Sequence, residues 1–122
     1  MKKLLFIDDE PDLRSIFKMF LSSMNDILFL EAENGKQGIA VAKKEKPDLI
    51  ITDFKMPIMN GLEVIQELKK SNETSSIPII MYTGYSAELD SAEILKIGCE
   101  ELIPKPIYTD VWIALINKYL FP

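Results

Sequence analysis

The strongest constraint on this chain is the spacing of its apolar residues. They fall in short continuous runs at Leu4–Ile7, Leu49–Thr52 and Ile79–Tyr82, with a brief run at Leu102–Ile103 and a further candidate at Ile27–Leu30. Runs that are continuous rather than alternating suit strands buried on both faces, as in a parallel sheet. Pro78 is expected as the first residue of its strand, where a missing donor is tolerated. Between the runs the period becomes helical. Leu13, Ile16, Phe17, Phe20, Leu21 and Met24 make one amphipathic stripe, and Pro11 suits its first turn. A second helix is expected over Lys36–Lys44, after Asn34-Gly35. Asn60 as N-cap, with Glu63 three residues on, opens a third through Leu62, Ile65 and Leu68. Ala87–Lys96 reads as a fourth, stopped by Gly98. Thr109 is expected to cap a fifth, with apolar positions Val111, Trp112, Leu115, Ile116 and Tyr119.

The order is therefore strand then helix, five times over. Right-handed crossovers turn that order into an α/β doubly wound parallel sheet of five strands, with five helices on its two faces. Residues 1–122 are about the length of one domain, and 48% hydrophobic residues suffice for a core without disulfide or structural metal. The single cysteine, Cys99, fits a reducing compartment and reads as a small apolar filler. With no histidine, Ser-His-Asp, Cys-His and His-ligated metal chemistry are excluded. A net charge of −5 argues against a nucleic-acid binder. Lys2 and Lys3 precede an apolar run too short for a signal peptide, and no stretch approaches a membrane span. A soluble cytoplasmic protein is expected.

In open α/β sheets chemistry gathers at the C-terminal strand ends. Here those ends carry Asp8-Asp9-Glu10, then Asp53, then Thr83-Gly84, then Lys105-Pro106. Each group has a plain structural alternative. Asp8 or Asp9 could cap the first helix, Asp53 could serve a turn, Thr83-Gly84 could be a strand-to-loop turn, and Lys105 could be a solvated lysine. The coincidence of all four at one rim favours a site for a divalent cation and a phosphoryl group. Carboxylates without imidazole or thiolate suit Mg²⁺, and a cation lets clustered acids stay ionised together. Lysine and threonine suit anionic phosphoryl oxygens.

With Asp8-Asp9, the segment Asp53 to Gly61 (DFKMPIMNG), Thr83-Gly84 and Lys105-Pro106 in this order, the chain resembles the receiver domain of two-component response regulators from Leu4 to Leu120. The resemblance implies the CheY-like, flavodoxin-like (βα)5 fold with strand order 2-1-3-4-5. That order comes from the family, not from the spacing. It also implies that Asp53 is the phosphoacceptor, forming an aspartyl-phosphate. Asp9, Asp53 and the backbone carbonyl of Lys55 would hold Mg²⁺ directly, and Asp8 through water. Thr83 would be the switch hydroxyl and Lys105 the ammonium on the phosphoryl group, with a cis bond to Pro106. Transfer would then need mainly positioning and charge neutralisation. A histidine kinase or histidine phosphotransfer domain would be the donor. With no output domain in these residues, the chain would act by passing the phosphoryl group on or by binding a protein target through its helix 4, strand 5 and helix 5 face.

Leu102 stands where many receivers carry an aromatic residue, and it lacks both ring and hydroxyl. Tyr85 and Tyr108 lie near in sequence. Tyr85 is expected to shield the aspartyl-phosphate from water, and Lys55 to pair with an acid or remain solvated. Gly84 leaves room for a phosphoryl group. Gly61 is expected to terminate the loop after Asp53, and it reads equally well as a plain turn glycine. Met56, Ile58 and Met59 read as packing, and Pro57 as a rigid loop element. Two other functions compete with this reading. A haloacid-dehalogenase-type phosphohydrolase would carry its nucleophile on the first strand, with a second aspartate two residues on. A flavodoxin-like flavin binder would need a Ser/Thr-rich loop where this chain has DDEPD.

Overall fold

The computed structural model describes residues 1–84, 89–106 and 108–122. Strands β1 (Lys2–Ile7), β2 (Ile27–Ala32), β3 (Leu49–Asp53), β4 (Ile79–Thr83) and β5 (Glu101–Pro104) alternate with helices α1 (Pro11–Leu21), α2 (Gly35–Glu45), α3 (Gly61–Lys70), α4 (Ser91–Lys96) and α5 (Thr109–Leu120). All strand pairs are parallel, in the order β2-β1-β3-β4-β5. The three central strands bury both faces, which is why their sequences read as unbroken apolar runs.

Alternation along the strands sorts the core into two layers. Leu5, Ile7, Ile50, Ile79 and Met81 face an aliphatic layer closed by Ala42, Val64, Ile65, Leu68 and Ile94 of α2, α3 and α4. Leu4, Phe6, Leu49, Ile51, Ile80 and Tyr82 face the other layer, closed by Phe17 and Leu21 of α1 and Trp112, Leu115 and Ile116 of α5. The second layer is aromatic at its centre. Phe6 and Phe17 stack with centroids 4.4 Å apart, Tyr82 lies 5.5 Å from Phe6, and Trp112 meets Phe17 and Tyr82 edge-on.

The helix signals hold at three starts. Asn34 accepts from the Gln37 N–H, Asn60 and Glu63 form a reciprocal capping box, and Pro11 opens α1. Gly98, at φ 115°, follows α4 as its stop. Four details differ. Thr109 does not cap α5: it is the first helical residue, and Tyr108 holds the cap position without a side-chain bond. Pro78 lies just outside β4, although its carbonyl still accepts the Ile50 N–H at 3.0 Å. Helix α4 is capped at Asp90, and the expected start at Ala87 lies outside the described residues. Ile16, placed on the buried stripe of α1 by its period, is exposed, and it lines an apolar groove of about 520 Å³ between α1 and α5. No described helix is long and apolar enough to cross a membrane.

Candidate functional site

Two carboxylates of the site continue the aromatic layer at the strand ends, while Thr83 follows Met81 on the aliphatic side. Period-2 alternation carries Leu4 and Phe6 on to Asp8, and Leu49 and Ile51 on to Asp53. Carboxylate oxygens of Asp8, Asp9 and Asp53 all lie within 4.8 Å of one another. Beside them opens a cleft of about 550 Å³ lined by Asp9, Glu10, Asp53, Lys55, Met56, Pro57, Gly84 and Lys105.

The two adjacent acids are held very differently. Asp8 is fully buried. Its Oδ1 accepts the Glu10 N–H at 2.9 Å, and its Oδ2 accepts the Tyr82 hydroxyl. Its backbone N–H donates to Ala32, and its carbonyl accepts from Arg14 Nη1 at 2.7 Å. Asp8 does not cap α1, because Glu10 occupies the cap position. The Asp9 carboxylate, by contrast, accepts no hydrogen bond from a described residue, and it faces the cleft.

Asp53 is 5% exposed. Its Oδ1 accepts the Phe54 N–H at 2.7 Å, and Lys105 Nζ stands 3.3 Å from its Oδ2. Burial raises the Asp53 carboxyl above the usual carboxylate range. Lys105 pulls it back and the charge of Asp8 pushes it further up. A divalent cation among these oxygens would offset both the burial and the repulsion, and an all-oxygen donor set suits a hard ion such as Mg²⁺. The residues present therefore fit that ion. Lys105 is not a solvated surface lysine, since its ammonium also lies 4.5 Å from the centre of the Tyr82 ring. Its peptide bond to Pro106 is cis, as the resemblance implies, and its N–H donates to the Thr83 carbonyl at 2.9 Å.

Thr83 ends β4 fully buried. A Cβ added at Gly84 would meet no atom of the described residues within 4 Å, so among them open space adjoins the hydroxyl-bearing strand end. Gly61 is more than a turn residue. A Cβ there would lie 2.3 Å from the Asp53 carbonyl oxygen, so only glycine lets α3 start this close to the end of β3. Met56 is buried and Met59 packs on the aliphatic layer. Ile58 does not pack: it is fully exposed and sits at φ 72°. Leu102 packs against the aliphatic layer, away from the aromatic one. Lys55 lines the cleft, and Tyr85 lies outside the described residues. Sequence reasoning missed Tyr82. Its signal was a lone phenol in an otherwise aliphatic run, directly before Thr83.

The sequence profile described as "Response regulator receiver domain" matches residues 4–117. Protein PilH of Pseudomonas aeruginosa is 33% identical over 121 residues, covering 98% of each chain. The phosphate regulon transcriptional regulatory protein PhoB of the same species is 38% identical over 98% of this chain, which spans 52% of PhoB. Among solved structures, the chemotaxis protein CheY4 of Vibrio cholerae superposes with a TM-score of 0.89 at 25% identity, covering 98% of this chain and 99% of that one.

Proposed function

Since the chain belongs to the response regulator receiver domain family of two-component systems, we propose that residues 1–122 act as a switch set by a phosphoryl group on Asp53. Receiver domains are signalling domains rather than enzymes of the ordinary kind, and histidine kinases phosphorylate them. The observation that carries the reading for this chain is the convergence of Asp8, Asp9 and Lys105 on one buried carboxylate, Asp53.

In this reading an Asp53 carboxylate oxygen attacks phosphorus on a phosphohistidine of a kinase or phosphotransfer domain. A P–O bond forms as the P–N bond breaks, and the electron pair stays on the imidazole nitrogen. Asp9, Asp53 and the Lys55 carbonyl would hold Mg²⁺, with Asp8 reaching it through water, and the bound ion would supply charge neutralisation for the phosphoryl oxygens. The open Asp9 carboxylate and the anchored Asp8 support that division. Lys105, already 3.3 Å from Asp53, is set to contact the phosphoryl group. Thr83 turns its hydroxyl toward the same group through the space at Gly84. The changed face of α4, β5 and α5 then meets a protein target in the cytoplasm.

Incubation with Mg²⁺ and acetyl phosphate, followed by intact mass, tests the assignment. The wild type should gain one phosphoryl group and Asp53→Asn none. Equal gain by both proteins, or gain by neither, would remove Asp53 from the role.

A further inference from the structure

Tyr82 is a buried phenol that the phosphorylation chemistry does not require, yet it touches two of the groups that chemistry uses. Its hydroxyl donates to Asp8 Oδ2, and its ring lies under the Lys105 ammonium at 4.5 Å. In the sheet it is the direct β-partner of Asp53. A phenol carries its proton at neutral pH, and beside the Asp8 carboxylate it donates.

We propose that Tyr82 is a positioning residue that sets Asp8 as the outer, water-mediated carboxylate of the divalent-cation site. Each carboxylate oxygen offers about two lone-pair directions. On Asp8, the Glu10 N–H takes one on Oδ1 and Tyr82 takes one on Oδ2. One direction per oxygen remains, enough to accept hydrogen bonds from water on the ion. Asp8 is thus ordered before the ion arrives, so the cost of ordering it does not fall on binding. Asp9, with no such anchors, keeps its lone pairs for the metal itself.

The aromatic layer holds Tyr82 in turn. Phe6 backs its ring and Trp112 meets it edge-on at 5.7 Å, so the phenol cannot swing away from Asp8. The hydroxyl is the only polar atom this packed ring carries to the rim. The inference rests on the receiver reading of the acidic site, and its test separates the two.

Calorimetric titration with Mg²⁺, without any phosphodonor, measures the site directly. Tyr82→Phe keeps the ring and removes only the hydroxyl, and Mg²⁺ affinity should fall about fivefold, as for loss of one ordinary hydrogen bond. Asp8→Asn should weaken binding more. Adding Tyr82→Phe in the Asp8→Asn background should change nothing further, because the hydroxyl acts through Asp8. A merely structural Tyr82 would lower the melting temperature and leave the affinity of the folded protein unmoved. Unchanged or tighter Mg²⁺ binding by Tyr82→Phe, or a full additive loss in the double variant, overturns the positioning role alone. Absence of Mg²⁺ binding in the wild type overturns both the role and the metal site it serves.

Discussion

The two faces of the sheet are packed by different chemistry, and they deliver different groups to the site. The face under α2, α3 and α4 is mainly aliphatic, filled largely by isoleucine, leucine, valine and methionine, and along β4 it leads on to Thr83. The face under α1 and α5 centres on Phe6, Phe17, Tyr82 and Trp112, and the same alternation leads on to Asp8 and Asp53. Aliphatic packing stabilises through area and density but places no polar atom. Aromatic packing adds preferred ring geometry and, in tyrosine, a hydroxyl at a defined distance from a rigid ring. Both faces thus supply stability, and the aromatic one also aims the two buried carboxylates.

The largest expected effect comes from the aromatic side. Phe6→Ala should cost about 3–5 kcal/mol in chemical denaturation, and it should also weaken Mg²⁺ binding by the folded protein, because Tyr82 loses its backing. Ile65→Ala, fully buried on the aliphatic side, should cost about 2–5 kcal/mol and leave Mg²⁺ affinity unchanged. An equal loss of affinity in Ile65→Ala would abolish the distinction between the faces.

Gly61→Ala sharpens the distinction at the one point where α3 reaches the rim. The new methyl would press on the Asp53 carbonyl, with an expected cost of about 1–3 kcal/mol and slower uptake of phosphoryl from acetyl phosphate. Normal uptake with normal stability would show that the backbone yields there without consequence.

The smallest effect lies far from the site. Burial alone would raise the Glu101 carboxyl, but hydrogen bonds from Tyr119 and Lys118 outweigh it and hold the carboxyl below its usual value of 4.5. A depressed folded value stabilises the fold above pH 4.5, and that stability is lost as pH falls through the folded value. Glu101→Gln should therefore cost less than about 1 kcal/mol at neutral pH, and the difference from wild type should vanish in acid. A constant difference across that window would mean that the carboxylate charge is not what ties β5 to α5.

Much of this was legible in the sequence, for identifiable reasons. Continuous apolar runs report burial on both faces, so the parallel strands stood out. Asn34, Asn60 and Gly98 act through backbone geometry that their own side chains, or the lack of one, decide locally. Thr109 failed as a cap because the helix starts one residue earlier than its side chain suggested, with Tyr108 at the cap position. Ile16 failed because a helical stripe shows which side of α1 is apolar, not how far α5 closes over it. Ile58 failed because an apolar residue in a short loop carries no period to say where it points.

The sequence by itself determined the five strand-helix units and the delivery of Asp8, Asp9, Asp53, Thr83 and Lys105 to one rim, since strand polarity and period act over a few residues. Only the tertiary structure decided which acid is anchored and which is open. The donor that anchors Asp8 Oδ2 is 74 residues away in sequence, and it arrives there because β3 lies between β1 and β4 in the sheet. Hydrogen bonds across that distance depend on strand order and on the packing that holds a ring in place, and no local pattern encodes either. The pair Asp8-Asp9 is thus one motif in the sequence and two different groups in the fold.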